Sequence, residues 1–540
     1  MEKTKLLNML SLQFIFFMMK LESIDIIILL LYIVFIVWWG VKNGRSSNSQ
    51  EYFLAGRSMP WWAVGLSLFA ASISSSTLIG QTGDAYHTGI AVFNYNLTGI
   101  VVMIFFAIFL LPLYIKSKIF TIPEFLEKRF DKRSRFYFSS ICIIGNIFLD
   151  AAGALYAAAL IIKLLFPTVD LQIIILIFAA IAASYTIPGG LSSAIKVELI
   201  QAVILIGGSL LLAFFCFQKG GDYFVDLYHN NDIATKLIRS LDDKATPWLG
   251  LIVGMPILGI YFWGNNQTLV QRVLSARSLD EGRKGVMLTG FLTLITLFIF
   301  AIPGLISQKL FPGLNSPDMV YPTMVMKLLP TGVLAIMLAA LLSALLSTIS
   351  AILNSTSTLF TIDFYSRFNK SADSKQQVKV GKIAALVIIV IAAFWAPQIG
   401  RFGSLLKYYQ EMLSYIAPPI VAAFLLGIFS KRVNGNGIFA GLIGGLVIAA
   451  LLLFFKKTIF GDLHFLLIVP FLLGASMLLM IVVSLAGDKP TSEKLQNTVF
   501  SKNIFFEEAS EMRTKKLYKS YMAWSILLLI FCVCLWIIFA

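Results

Sequence analysis

Two short segments of the chain concentrate polar groups within otherwise apolar sequence. The first, residues 71–77, contains four serines and one threonine. The second, residues 259–267, contains two glycines, three aromatic residues and three amide side chains. Small residues also let membrane helices pack closely, but the hydroxyls of the first segment cover every face of a helix, which packing alone does not need. Because interrupted helices offer backbone and hydroxyl oxygens to ions and solutes, we predict that both segments line a binding site.

Asp150 is an isolated acidic residue in the middle of a long apolar segment. A carboxylate at membrane depth is costly, so it normally faces a cavity and has a function. It could accept hydrogen bonds from a polyol, attract a cationic solute or bind a proton. The structural alternative is a hydrogen bond to Asn146, one helical turn earlier.

Residue types that support enzyme chemistry are scarce. The four cysteines lie in apolar blocks and the three histidines are isolated, so no spacing typical of a zinc site occurs. We find no spacing for a nucleophile–base pair and no phosphate-binding GxxxxGK[ST] loop. The sequence therefore predicts neither an enzyme nor an ATP-driven pump.

The composition indicates a membrane protein. Of the 540 residues, 58% are hydrophobic and only 13% are charged, which is too little charge to cover a water-facing globule. Apolar residues form blocks long enough to span a bilayer as helices. The net charge of +15 fits basic cytoplasmic loops, so we do not expect a nucleic-acid partner.

We predict an all-α, polytopic membrane protein with about fourteen transmembrane helices. The expected spans are 24–41, 60–80, 89–115, 136–165, 171–187, 194–217, 247–271, 286–307, 331–361, 383–399, 404–428, 436–455, 463–486 and 520–539. Residues 1–23 form an N-terminal extension, and the sequence leaves open whether residues 1–19 are present in the mature protein, since Met18 and Met19 offer later starts.

Basic residues in the loops predict the orientation. The loops after the third, seventh, ninth and thirteenth spans are rich in Lys and Arg, whereas residues 81–88 and 166–171 contain neither. Because cytoplasmic loops carry the excess of basic residues, we expect a multi-pass protein of the cell membrane with both termini outside the cytoplasm.

The two polar breaks lie five spans apart, which predicts two inverted five-helix repeats with broken helices at the membrane midplane. The expected organisation is a peripheral helix and loop (24–59), a first repeat (60–217), a second repeat (247–428) and C-terminal peripheral helices (436–540).

Several segments resemble the sodium/solute symporter family, and most closely its bacterial sodium/sugar (galactose) and sodium/sialic acid members. They are EYFLAGRSMPWWA at 51–63, TIPEFLEKRF at 121–130, GGLSS at 189–193, Gln271-Arg272 and LNST at 353–356. They follow the family's order over roughly residues 24–485. The resemblance implies a core of two inverted repeats that works by alternating access, with Na⁺ as the coupling ion.

The resemblance also implies a sodium site between the second and ninth spans. Its ligands would be the backbone carbonyls of Ala70, Ile73 and Ala344 and the hydroxyls of Ser347 and Thr348. Neutral oxygens of this kind suit a hard monovalent cation at the end of a half-helix. As an alternative, Ser and Thr in membrane helices often only bond back to a carbonyl.

A second sodium site occurs in some family members and would here use Glu198 and Ser350. Ala351 replaces one hydroxyl ligand of that site, so a second ion stays open. A salt bridge from Glu198 to Lys196 or to a loop arginine explains the acid equally well.

The substrate residues implied by the resemblance are Ser72, Ser74, Thr77, Asn96, Asp150, Phe262 and Gln410. Gln410 matches the sugar pattern, and Phe262 replaces its gating Tyr. The hydroxyls at 72–77 fit the sialic acid pattern better, yet that pattern's Arg falls at Asp150. Because Asp150 repels anions, we expect a neutral polyhydroxylated solute, a sugar or an inositol-like polyol. The alternatives are an organic acid such as sialic acid, or a transporter-like membrane sensor. The partners are thus a small solute, sodium and the lipid bilayer, while the oligomeric state stays open.

Overall fold

A computed structural model describes residues 22–42, 48–73, 76–166, 168–243, 245–314, 316–399, 405–502, 506, 516–517 and 520–540. Within these ranges the chain is helical and forms no strand. The all-α prediction is therefore confirmed for this part of the chain.

The first half contains eight helices that we label in chain order. They are α1 (Ser23–Lys42), α2 (Ser49–Leu54), α3 (Trp61–Ser72), α4 (Thr77–Thr88), α5 (Ile90–Lys116), α6 (Ile122–Arg129), α7 (132–165) and α8 (Leu171–His229). Two of them are short connections: α2, and α6, which begins at the N-cap Thr121.

The second half contains ten longer helices. They are α9 (Trp248–Asn265), α10 (Gln267–Leu274), α11 (Leu279–Leu310), α12 (Val320–Leu328), α13 (Val333–Phe368), α14 (Ser374–Ile399), α15 (Leu405–Phe429), α16 (Gly435–Phe460), α17 (Phe465–Leu485) and α19 (Tyr521–Ile538), with the single turn α18 (Ser492–Leu495) before the last.

Two membrane spans are interrupted where the sequence predicts binding segments. The axes of α3 and α4 differ by 65°. At the C-terminal end of α9, the segment Tyr261–Asn265 is a wide π-type turn, and Asn266, which separates α9 from α10, adopts an extended conformation with φ −72° and ψ 115°. Gly and polar residues weaken the helix at both places, and the freed backbone groups lie inside the protein rather than against lipid.

The number of spans agrees with the sequence, and one segment differs from the expected limits. Twelve helices of the described residues are long and apolar enough to cross a membrane, and the bent pair α3–α4 adds a thirteenth. α8 has 59 residues and breaks at Gly190, where φ is +59° and ψ is −149°, so it supplies the two spans expected at 171–187 and 194–217. Residues 81–88, which we expected to be a connection, instead continue the broken span as helix α4.

α13 lies at the centre of the molecule, with nearly all its apolar stretch buried. It packs along α8 and also contacts α3, α10 and α14. By contrast, α1, α16, α17 and α19 leave large apolar side chains such as Leu31, Phe454 and Ile537 exposed, as lipid-facing helices do. The broken spans therefore meet a rigid central helix, and peripheral helices separate this core from lipid.

Candidate functional site

A cavity of about 660 Å³ lies where the broken spans meet α5, α7, α13 and α15. Its inner wall includes Ile73, Thr77, Asp150, Phe262 and Thr348. It extends past α15 to the loop between α16 and α17, where Asp462 is exposed. The cavity thus connects the middle of the helical bundle to one end of the molecule.

The C-terminal end of α3 points its last carbonyl groups into this region. α3 ends at Ser72, and Ile73 leaves the helical conformation with φ −84° and ψ 89°. The Phe69 carbonyl accepts from the Ile73 amide at 3.0 Å and from the Ser72 hydroxyl at 2.8 Å. The later carbonyls of a helix end lack intrahelical donors and carry the negative end of its dipole. The carbonyls of Ala70 and Ile73, our predicted sodium ligands, belong to this end.

The other three predicted sodium ligands lie on α13, which packs against α3. The Ser347 hydroxyl is fully buried and has no hydrogen-bond partner among the described residues. Thr348 donates to the Ala344 carbonyl at 2.9 Å, which leaves the oxygen of its hydroxyl able to accept or coordinate. A buried hydroxyl without a hydrogen-bond partner costs free energy. This part of α13 is therefore suited to binding a cation, which oxygen atoms can coordinate.

Asp150 faces the cavity from α7, and its hydrogen-bond partners among the described residues are neutral. The Tyr409 hydroxyl bonds to its carboxylate from α15. In the orientation that pairs both ends of its amide, Asn146 donates to Oδ2 of Asp150 at 3.3 Å and accepts from Ser355 and Thr356. Asp150 thus forms the hydrogen bond to Asn146 that we gave as the structural alternative, and it also lines the cavity.

An amide pair crosses the cavity wall between α4 and α5. Gln81 donates to Asn96 at 2.8 Å, Asn96 donates back at 3.1 Å, and Asn96 also donates to Thr296 of α11 at 2.7 Å. These bonds fix Asn96 in place, and both amides line the cavity. They leave the outer lone pairs of both amide oxygens as acceptors for a polar solute.

Aromatic rings also line the cavity. Phe262 and Trp263 stand edge to face with their centroids 5.1 Å apart. Tyr95 and Tyr409 also line the cavity, and Gln410 lies beside Tyr409 on α15. Rings of this kind offer flat faces on which a sugar ring or a cation can stack.

Charged groups surround the outer end of the cavity. Lys456 pairs with Glu411 at 3.2 Å, and both are partly exposed. His464 begins α17, and its Nδ1 accepts from the Leu466 amide at 3.3 Å. Burial, helped by the charge of Lys456, lowers the pKa of His464 to about 4, so the imidazole is neutral at physiological pH.

Glu198 lies outside the cavity lining and is fully paired. Its Oε1 accepts from Arg272 at 2.7 Å, and its Oε2 accepts from Ser67; both charged side chains are fully buried. Ser350 accepts from Thr186 at 2.9 Å. Of the two salt-bridge partners expected for Glu198, Lys196 or an arginine, the structure shows an arginine, Arg272 near the end of α10.

The structure brings most of the predicted residues together. Ile73 and Thr348 of the sodium set line the cavity, as do the substrate residues Ser72, Thr77, Asn96, Asp150, Phe262 and Gln410. Ala70, Ala344 and Ser347 lie on the same helix segments just behind the wall, whereas Glu198 and Ser350 do not line it. Ser74 lies outside the described residues.

Sequence reasoning missed several polar groups of the wall, among them Gln81, Asp84 and Tyr409. Gln81 and Asp84 were assigned to a connection because their segment is polar, although a polar segment in a broken span is itself a signal of a cavity. Tyr409 directly precedes Gln410, so its contact with Asp150 depends on the packing of α7 against α15, which no local pattern reveals.

The chain is similar in sequence to known membrane transporters. A model of the sodium:solute symporter family matches residues 52–445. Mouse sodium/glucose cotransporter 4 is 32% identical over 530 residues, covering 88% of this chain and 77% of that protein. Human sodium/myo-inositol cotransporter is 31% identical over 554 residues, covering 90% of this chain and 77% of that protein.

The fold has a solved counterpart. The substrate-bound, outward-open structure of a sodium-coupled sialic acid symporter matches 87% of this chain and 99% of its own chain, with a TM-score of 0.77 and 24% identity. At this identity the likeness establishes the fold alone. Together with the family match over most of the chain, it shows that this protein is a secondary active transporter of the sodium:solute symporter family and not an enzyme.

Proposed function

We propose that this protein carries a sugar or an inositol-like polyol across the cell membrane together with sodium, by alternating access. The central cavity holds the solute, and the ion binds between the end of α3 and the middle of α13. The segments 60–217 and 247–428 act as the two inverted repeats that move around this fixed site.

The observation that carries the sodium proposal is the buried hydroxyl of Ser347, which has no hydrogen-bond partner in the part of the chain that the structure describes. It lies one residue before Thr348, whose own hydroxyl leaves an oxygen lone pair unused, and α13 packs against the carbonyl-rich end of α3. Five neutral oxygens, with Ala70, Ile73 and Ala344 as carbonyl donors, would complete the coordination of one sodium ion. We assign coupling to this site alone, because Arg272 already neutralises Glu198.

The solute proposal depends on the polar groups of the cavity. Ser72, Thr77, Asn96 and Gln410 offer hydroxyl and amide groups, and Phe262 offers an aromatic face. This combination suits a ring that is polar at its edge and apolar on its face. The names of the relatives, which include glucose and myo-inositol cotransporters, point to the same class.

An organic acid is the second candidate, supported by the hydroxyls of Ser72 and Thr77. Its carboxylate would lie in a cavity that also contains Asp84 and Asp150, and neither aspartate pairs with a cation among the described residues. Like charges in a partly desolvated cavity repel strongly. The cavity therefore favours a solute without a carboxylate.

The test is uptake by the purified protein in liposomes. An inward sodium gradient is imposed, with equimolar potassium as the control, and labelled sugars, inositols, sialic acid and amino acids are offered in turn. Sodium-dependent accumulation of a sugar or polyol supports the proposal. Accumulation of sialic acid alone selects the organic acid, equal uptake in potassium removes the sodium site, and no uptake at all favours a sensor.

A further inference from the structure

Among the described residues, the carboxylate of Asp150 has no counter-ion although it lies in the middle of the bundle. Its bonds are to the Tyr409 hydroxyl and the Asn146 amide, both neutral, and it forms no ion pair among the described residues. Two neutral donors compensate only part of the cost of a charge at membrane depth. A cation in the cavity would supply the missing counter-charge.

The rest of the cavity is also acidic. Among the residues that the structure describes, its lining includes four carboxylates, Asp84, Asp150, Glu411 and Asp462, and one lysine. That lysine, Lys456, is at the outer end and is already paired with Glu411. His464 adds no charge at neutral pH because its pKa is lowered to about 4. A solute that travels from the outer end to Asp150 therefore moves through a field that attracts cations.

The walls around Asp150 add a second preference for positive charge. Tyr409 bonds to the carboxylate, Tyr261 lies close enough to interact with it electrostatically, and the next residue along α9, Phe262, faces the cavity. Aromatic faces attract ammonium groups, most strongly where water is excluded. A carboxylate beside aromatic rings can therefore bind an ammonium group through both an ion pair and cation–π contacts. The hydroxyl and amide side chains in the rest of the cavity can form hydrogen bonds with the hydroxyl groups of a solute.

We propose that Asp150 makes the cavity selective for a polyhydroxylated solute that carries one ammonium group, such as an aminated sugar or an aminated polyol. This inference rests on the sugar or polyol symport proposed above and narrows its substrate class. The ammonium pairs with Asp150 near Tyr409, and the hydroxyl groups bind Ser72, Thr77, Asn96 and Gln410. The same cavity accepts a neutral sugar less well, because the buried carboxylate then stays without a cation.

The experiment compares matched solutes in liposomes of phosphatidylethanolamine and phosphatidylglycerol under an inward sodium gradient. Three members of each set differ at one position only: the hydroxyl sugar, the amino sugar and its N-acetyl derivative. Sets based on glucose, galactose, mannose and inositol cover the ring geometries. For the set that is carried, we expect kcat/KM for the amine to exceed that of the other two roughly tenfold to hundredfold, the range of a hydrogen bond to a charged group.

The variant Asp150→Asn keeps the shape of the side chain and removes its charge. We expect it to lower uptake of the amine and to abolish the preference over the hydroxyl sugar. Asp222→Asn is the matched control, since Asp222 is exposed on the part of α8 away from the cavity, and it should leave the preference unchanged. Equal thermal unfolding of the purified variants shows that both are folded.

Each outcome decides a separate point. Equal or better sodium-driven uptake of the neutral sugar by the wild-type protein overturns the ammonium inference and leaves sugar symport standing. A preference for the amine that survives Asp150→Asn removes Asp150 as its cause and overturns the inference. Absence of sodium-driven uptake for every set overturns both this inference and the proposed function.

Discussion

Nη2 of Arg272 lies 2.7 Å from Oε1 of Glu198, and both side chains are fully buried. Arg272 also donates to the Thr268 carbonyl at 2.7 Å, and Ser67 donates to the second oxygen of Glu198. This ion pair ties together α10, α8 and α3, which include both broken spans. It therefore stabilises the arrangement of helices on the side of the breaks away from the cavity opening.

Replacing Glu198 by Ala should destabilise the protein strongly. The change leaves the Arg272 guanidinium buried without a counter-charge, which typically costs about 3–5 kcal/mol. We expect a marked fall in the thermal unfolding midpoint of the detergent-purified protein. The matched control is Arg277→Ala, which breaks an ion pair of the same 2.7 Å length whose arginine is exposed. This control should cost at most about 1 kcal/mol, and equal effects of the two variants would contradict a structural role for the buried pair.

Ser347→Ala should weaken sodium activation of transport. It removes one oxygen ligand from the proposed site, and we expect the sodium concentration for half-maximal uptake to rise roughly tenfold to hundredfold. Ser357→Ala is the control, because Ser357 is buried on the same helix and its hydroxyl already bonds to the Asn354 carbonyl at 3.1 Å. An unchanged sodium dependence in Ser347→Ala would remove this residue from the ion site.

Gly190→Ala should destabilise α8 at its bend. The backbone has a positive φ there, and a Cβ atom would lie 2.4 Å from the Tyr52 carbonyl oxygen. Strain and overpacking together cost about 2–5 kcal/mol. Gly207→Ala in the same helix meets no atom within 4 Å and should stabilise the helix by about 0.5–1 kcal/mol. Thermal unfolding of the two variants should therefore shift in opposite directions, and similar shifts would show that α8 does not bend at Gly190.

The basic loops predict which side of the membrane each loop occupies. A cysteine placed at Asp373, in the loop after α13, should react with an impermeant maleimide only from the cytoplasmic side. One placed at Asp462, beside the cavity, should react only from outside. Cys534, the exposed native cysteine, is replaced by Ser in this background. Labelling in the reverse pattern in right-side-out vesicles would invert the proposed topology.

The fold was predictable because its signals are local and strong. Apolar blocks specify the membrane spans. Polar clusters such as residues 72–77 are conspicuous within them, because polar groups in lipid cost free energy unless they line a cavity or bind a partner. The two breaks accordingly occur where the sequence predicts them. The exception is the segment containing Gln81 and Asp84, whose polarity resembles that of a loop but serves the wall of a cavity.

The partners of individual side chains were less predictable. The sequence left open whether Glu198 binds an ion or an arginine, since the answer depends on how α8 meets α10. The contact of Asp150 with Tyr409 likewise joins helices that are far apart in the chain. Periodicity identifies which residues are buried, whereas such pairings depend on the relative positions of whole helices.

Sodium symport is tested most directly by measuring whether sodium influx and solute uptake are coupled. Influx of radioactive sodium into liposomes that contain the purified protein is measured with and without the transported solute outside. For sodium symport, we expect the solute to stimulate sodium influx in a fixed ratio to its own uptake, and Ser347→Ala to reduce both fluxes together. Solute uptake that leaves sodium influx unchanged would contradict sodium symport.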